Sequence, residues 1–217
     1  MKVTGLSSQQ KDPNRINILV DGKFRFSLDI SQVTDLGIRV GKEFTEEKLD
    51  EFEVESQFGK LYARALEYCI MRPHSAREVR DYLYRKTRTT QVRNKHTGKV
   101  KERPGVSIEL TTRVFERLLD KGYIDDTKFT HWWVENRNQR KGVSRRKLQS
   151  ELSAKGVASG IIEEAIASTE RNDGDELAKI VSKKRAKYPD NQKFMQYLTR
   201  QGFSYDDIKS ALNKGDD

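Results

Sequence analysis

One spacing recurs three times in this chain, and it limits what the chain can fold into. Ser75, Val79, Leu83 and Lys86 lie four, four and three residues apart. Ser144, Leu148, Leu152 and Lys155 keep the same intervals, and so do Asp190, Phe194, Leu198 and Gln201. A hydroxyl or carboxylate followed by apolar residues at these intervals is an N-cap ahead of a short helix with one buried stripe. The second copy continues through Gly156-Val157 to Ile162, Ala165 and Ile166. The third continues through Gly202-Phe203 to Ile208, Ala211 and Leu212, at a constant offset of 46 residues. A glycine just past a helix end suits the left-handed residue that stops it. One such unit cannot bury its apolar face alone, so neighbouring units must stack. The expectation is a mainly α fold of three tandem three-helix repeats forming an elongated curved body. Its helices are predicted at 58–71, 76–86 and 108–119, at 126–140, 145–155 and 159–168, and at 174–187, 191–201 and 204–213.

From the first copy to the second the offset is 69 residues, and the excess falls at 87–107. That stretch is basic and nearly devoid of large apolar residues. It reads as an insertion, either an exposed hairpin pairing 90–93 with 99–102 across His96-Thr97-Gly98 or a mobile loop. Ahead of the repeats, alternating Ile16, Ile18 and Val20 face Phe24, Phe26 and Leu28 across Asp21-Gly22, a two-residue hairpin signal. A lone hairpin needs cover, for which Val33, Leu36, Ile38 and Val40 are available. Residues 1–14 read as a frayed start. The predicted division is a β-hairpin domain at 1–56, a first repeat with its insertion at 57–120, a second repeat at 121–170 and a third at 171–217.

Charge separates these parts. The chain carries a net +9, but residues 57–160 hold +13 while 1–56 hold −3 and 161–217 hold −1. The densest cluster is Arg137, Arg140, Lys141, Arg145, Arg146 and Lys147, at an elbow where Gly142 interrupts the helical pattern and Ser144 can cap the next helix. Glu135 and Glu151 are the nearest acids in sequence, so most of these cations are expected to be neither buried nor paired. Crowded like charge favours an anionic partner. Arg77 and Arg80, on the corresponding helix of the first repeat, belong to the same basic surface. Phe129 and Trp133 sit four apart on one helix face and read as core. Trp132 and Tyr123 are the more open aromatics and are candidate contacts beside the arginines. Asp125 and Asp126 are read as caps of the helix they open.

No catalytic constellation is present. His74, His96 and His131 are not spaced as metal ligands, Cys69 is the only cysteine, and no Walker-type phosphate loop occurs. Cys69 reads as a small buried apolar residue. The expectation is a protein that is not an enzyme, with no metal, cofactor or small-molecule substrate. No run is apolar enough to span a bilayer and no signal peptide opens the chain, which gives a cytoplasmic protein, taken as a monomer.

Gly122-Tyr123-Ile124-Asp125-Asp126, then Phe129, Arg137, Gly142 and Leu148, then Leu152 with Lys155-Gly156-Val157, resemble the central motif of the RecX regulators, bacterial modulators of the RecA recombinase. Val20-Asp21-Gly22-Lys23 with Phe26-Ser27-Leu28 is similar to the longer members with an N-terminal extension. So is Ala65-Leu66-Glu67-Tyr68 leading to Ser75-Ala76-Arg77-Glu78-Val79-Arg80-Asp81-Tyr82-Leu83. The resemblance covers about residues 16–212. It implies tandem three-helix repeats without catalytic activity. It also implies binding in the groove of the RecA–DNA filament, with DNA contact there, and lowered filament growth, ATP hydrolysis and strand exchange. The 87–107 stretch is longer than the family's usual link, and Asn138 and Gln139 differ from its pattern. The charge by itself also fits a DNA- or RNA-binding helical module without a recombinase partner, or a scaffold for another acidic protein.

Overall fold

The structure is a computed structural model and describes residues 1–10, 12–93 and 98–213. The described chain is mainly helical, with a small antiparallel sheet at its start. In order it forms β1 (Val3–Ser8), β2 (Arg15–Val20), β3 (Lys23–Asp29), α1 (Ile30–Asp35), α2 (Glu46–Met71) and α3 (Ala76–Tyr84). There follow β4 (Thr90–Arg93), β5 (Val100–Arg103), α4 (Ile108–Asp120), α5 (Asp126–Asn136), α6 (Arg145–Ala154) and α7 (Ser159–Ser168). The chain ends with α8 (Asp173–Lys184), α9 (Asn191–Arg200) and α10 (Tyr205–Asn213). Short 3-10 turns, Arg85–Thr87 and Arg185–Lys187, extend α3 and α8. The three-helix repeats are α2–α3–α4, α5–α6–α7 and α8–α9–α10. The chain divides into two compact units, residues 1–71 with 81–123 and residues 72–80 with 124–217, so that α3 is divided between them.

In the first unit the sheet order is β1-β2-β3. Asp21 and Gly22 both take positive φ (47° and 80°), which is the turn geometry that fits a two-residue hairpin. Two sequence expectations fail here. The start is not frayed: β1 pairs with β2, Leu6 against Ile18, and Val3 is 1% exposed in the core. Pairing satisfies an edge that a lone hairpin would leave open. Phe24 does not face inward either. A register shift between Ile18 and Leu19 pairs Leu19 with Phe24 and leaves Phe24 60% exposed. Cover comes from Ile38 and, above all, from Leu49 and Phe52 of α2, with Phe52 edge-on to Phe26 and Phe44; Val40 stays exposed.

That helix joins the one expected at 58–71 to an earlier one for which Thr45 is the expected cap. It runs unbroken from Glu46, capped by Thr45, whose Oγ1 accepts from Lys48 N at 3.3 Å. Ser56, read as the end of a domain, is buried within it and donates to the Ser27 carbonyl at 2.5 Å. Gly59 lies so close to Gln32 and Asp29 that a Cβ would meet Gln32 Oε1 at 2.9 Å. The insertion forms β4 and β5, with Thr90 opposite Arg103 and Val92 opposite Lys101, one residue on from the predicted pairing. All eight strand residues are exposed, and the His96-Thr97 part of the expected tip lies outside the described residues.

The second unit holds two cores. Phe129, Val134, Leu148, Leu152, Val157 and Ile162 form one. Leu177, Ile180, Phe194, Leu198, Phe203 and Ile208 form the other. Leu148, Leu152, Val157 and Ile162 in one, and Phe194, Leu198, Phe203 and Ile208 in the other, are the apolar positions of the repeat spacing. No helix among the described residues is long and apolar enough to cross a membrane.

Candidate functional site

The second unit contains the same joint twice. In each, the N-terminus of one repeat's middle helix is completed by the next repeat. Ser75 caps α3: its Oγ accepts from Glu78 N at 3.1 Å and donates to the Lys155 carbonyl at 2.9 Å. Ser144 caps α6: its Oγ accepts from Lys147 N at 3.1 Å and donates to the Gln201 carbonyl at 2.7 Å. Asp126 Oδ1 accepts from Ala76 N at 2.8 Å, and Asp173 Oδ1 accepts from Arg145 N at the same distance. The sequence assigned Asp125 and Asp126 to one helix end. Asp125 does cap its own helix, accepting from Lys128 N at 3.0 Å, a bond that holds its carboxyl below the ordinary range. Asp126 serves the start of α3 instead.

Glycines close both joints. Gly156 has φ +79°, and a Cβ there would stand 3.0 Å from Arg77 Cδ; Gly202 has φ +94°, and a Cβ would stand 2.5 Å from Ser144 Oγ. Arg77 and Arg146 are thus equivalent, each the second residue of a middle helix, and both are exposed.

The elbow between α5 and α6 is where the structure departs most from the sequence reading. The predicted helix to 140 stops at Asn136, and Arg137 turns extended. Arg171 is the cause. Its guanidinium takes the carbonyls of Val134 and Arg137 at the helix end and binds Glu176 Oε2 at 2.7 Å. Satisfying those carbonyls ends the helix without continuing it. Gly142 then turns at φ +84°, where a Cβ would meet the Glu176 carbonyl at 2.3 Å, so only glycine fits. Glu176 is 2% exposed. Burial alone would push its carboxyl up; Arg171, Lys179 and Val143 N–H together hold it down.

Three of the six clustered cations have structural partners. Arg137 binds Glu151 through Nε at 2.7 Å and Nη2 at 3.0 Å, which raises its own pKa. Arg145 donates to the Arg171 carbonyl at 2.8 and 3.1 Å. Lys147 reaches Gln201 Oε1. The expectation that most of the cluster is unpaired therefore fails for these three, whose partners lie 14 to 54 residues away. Arg140, Lys141 and Arg146 are exposed, with no side-chain partner among the described residues. Lys183, which sequence reasoning placed on the acidic third repeat, donates to the Arg140 carbonyl and adds its charge to the elbow. Nothing in its local sequence signals this. Arg80 is exposed on α3 and makes an interaction of its own.

Trp132 and Trp133 are both half-buried, 6.3 Å apart. Arg72 lies over the Trp132 ring at 5.4 Å, while Lys155 and Arg137 lie over Trp133 at 4.4 and 5.0 Å. Glu78 joins this group to the joint, accepting from Arg72 at 3.1 Å and from Lys155, with His74 Nδ1 at 3.0 Å. Burial opposes ionisation of Glu78, but the Arg72 and Lys155 hydrogen bonds outweigh it and bring its pKa to about 2. The tryptophans thus brace the joint as well as the core. Tyr123, 43% exposed, belongs to the first unit, where its field acts on Tyr62.

These features define a class: a tandem three-helix-repeat protein whose repeats share caps and whose central repeat carries an exposed cationic elbow. The family model of the regulatory protein RecX N-terminal domain matches residues 1–45, and that of the RecX second three-helix domain matches 125–166. Regulatory protein RecX of Bacillus licheniformis is 29% identical over 99% of this chain and 77% of its own length. That of Caldanaerobacter subterraneus is 26% identical over 98% of this chain and 99% of its own. Among solved structures, a crystal structure of regulatory protein RecX shares the fold with TM-score 0.69 at 20% identity, over 98% of each chain. RecX from Lactobacillus salivarius does so with TM-score 0.52 at 21% identity, over 73% of this chain and 96% of that one. Over nearly its whole length, then, the chain is similar to RecX regulators, and two RecX family models match parts of it.

Proposed function

We propose that this protein is a non-catalytic regulator that binds RecA–DNA filaments and restrains them, lowering filament growth, ATP hydrolysis and strand exchange. Similarity to RecX regulators over nearly the whole chain supports a role in modulating RecA, and with it in recombination and DNA repair. The observation that carries the contact assignment is the elbow. Arg140, Lys141 and Arg146 are exposed within seven residues of one another, without carboxylate partners among the described residues, and Lys183, on the Arg140 carbonyl, adds a fourth charge. Such crowding is relieved by an anionic surface, whether acidic side chains, phosphates or both. Arg77 and Arg80 extend the contact set onto α3, with Trp132 and Tyr123 as aromatic neighbours in sequence. Arg137, Arg145 and Lys147 act one step back, holding the elbow's shape. No step of this role needs a cofactor or metal.

The test follows from that division. Arg140→Glu with Lys141→Glu and Arg146→Glu removes three exposed charges and no internal bond, so the variant should keep its circular dichroism spectrum. Each charge-assisted bond to an anionic partner is worth about 1–3 kcal/mol. The triple variant should therefore no longer slow RecA-driven ATP hydrolysis on single-stranded DNA. Inhibition equal to wild type would reduce the elbow to a solvated surface. A wild-type protein that leaves RecA untouched while binding bare DNA tightly would favour the plain nucleic-acid module.

A further inference from the structure

The first unit holds a second concentration of positive charge, built differently from the elbow. A cavity of about 440 Å³ opens at the base of the β4–β5 hairpin. Lys60 and Arg64 of α2 line it, with Arg85 and Lys86 of the 3-10 turn, and Arg88 and Arg103 at the hairpin's foot. No carboxylate lines it, and among the described residues none of the six has an ion pair with one. Glu53, whose field reaches Lys60, is itself engaged by Arg25 at 3.5 Å. The walls are fixed rather than loose. Val106 N donates to the Lys86 carbonyl at 3.0 Å, and Gly105 lies so close to Thr87 that a Cβ would stand 2.0 Å from its carbonyl oxygen. Lys86 sits over the Tyr82 ring at 4.4 Å, and Tyr82 stacks on Tyr68 at 4.3 Å. Burial, then the neighbouring cations, lowers the pKa of both Lys60 and Lys86. A fixed cavity with six converging cations and no counter-charge is a receptor for an anion.

The hairpin indicates which kind. Directly paired residues of an antiparallel ladder point to the same face. Thr90 pairs with Arg103 and lines the cavity with it, so Lys101, two residues on and paired with Val92, continues the cationic row along the same face. At the rim Tyr84 is 57% exposed and carries the Arg88 guanidinium over its ring at 5.5 Å. A row of cations leading out of a pocket, with an exposed aromatic beside it, is the combination that holds a single nucleic-acid strand: backbone in the charged groove, base on the ring. We propose that this cavity is a phosphate-binding site that takes the sugar–phosphate backbone of a single-stranded nucleic acid, with the hairpin guiding the strand into it. The site is formed by the first unit alone and does not depend on the elbow.

The test uses the full chain and a fluorescent oligothymidylate, with no recombinase, so its outcome is separate from that of the elbow variant. Binding is measured by anisotropy over a salt series. Each phosphate contact on a single strand contributes about 0.7 to the slope of log affinity against log salt. Lys60→Gln with Arg103→Gln should flatten that slope by about 1.4 and weaken binding about tenfold or more at low salt. Lys23→Gln with Arg39→Gln removes the same charge from exposed positions outside the cavity and should leave the slope unchanged. If the first variant loses its circular dichroism signal, Arg88→Gln with Arg103→Gln, both exposed, takes its place and carries the same expectation. Equal slopes for cavity and control variants would overturn the site, as would a wild-type chain that does not bind the oligonucleotide. Loss of poly-glutamate binding with the DNA slope intact would overturn it too, in favour of an acidic protein segment.

Discussion

At the scale of single residues, the most consequential side chains are those that tie distant helices together. Glu78 is the clearest case. Its folded pKa of about 2 lies below the ordinary carboxylate value of 4.5. A depressed pKa stabilises the fold above the unfolded value, and the contribution is lost as pH falls through the folded one. The urea midpoint of the second unit should therefore drop as pH falls from about 4.5 towards 2. Glu78→Gln should remove part of that dependence, while at neutral pH it leaves Arg72 and Lys155 without their carboxylate. Arg72 is still 33% exposed, so the loss should be about 2 kcal/mol, below the ~3–5 kcal/mol of a fully buried pair. Urea melts of both proteins at pH 7 and pH 3 check this; parallel losses at the two pH values would rule the assignment out. Arg171 and Glu176 form a second such tie at the elbow, with a carboxylate more deeply buried than Glu78.

At the scale of elements, the repeat helices owe their ends to one another, whereas β4 and β5 owe almost nothing to the rest. Every residue of those strands is exposed, and the hairpin's foot is held separately by Gly105 and Val106. Excising residues 90–103 and closing the gap with a short Gly-Ser link should move the thermal midpoint by no more than a few degrees. It should also flatten the salt dependence of single-strand binding, because Arg103 and Lys101 go with it. A collapse of the thermal midpoint would show that the hairpin supports the first unit. Gly142→Ala makes the contrast. It places a methyl group against the Glu176 carbonyl at a left-handed position, so it should destabilise the second unit by more than about 1 kcal/mol in urea.

At the scale of the whole molecule, the two compact units give a direct optical test. Trp132 and Trp133 are the chain's only tryptophans, and both lie in the second unit. Tryptophan fluorescence therefore follows that unit, whereas far-ultraviolet circular dichroism follows both. Urea transitions seen by the two probes should not coincide. Phe52→Ala, which empties a core position of the first unit, should shift the dichroism and leave the fluorescence midpoint in place. Coincident transitions in both proteins would mean that the two units unfold as one.

Much of this organisation follows from sequence alone. A cap followed by apolar residues at i+4 and i+8, and a glycine at the helix stop, are local rules, so the middle helix of each repeat, the Asp21-Gly22 turn and the insertion at 87–107 are legible without coordinates. The apolar stripe likewise marks Phe129, Leu148, Leu152, Phe194 and Leu198 as core, and these are buried. What escapes sequence reasoning depends on partners far along the chain. β1 becomes ordered because an edge strand offers it hydrogen bonds, and Phe24 turns outward because the ladder shifts register. α5 ends at Asn136 because Arg171 occupies its last carbonyls. The same holds at the elbow, where six cations in eleven residues look alike in sequence. Tertiary structure divides them, since Glu151, Gln201 and the Arg171 carbonyl engage three and leave Arg140, Lys141 and Arg146 exposed. Charge density can be counted along a chain, but whether a charge is neutralised depends on distances of a few ångströms that only the folded backbone sets.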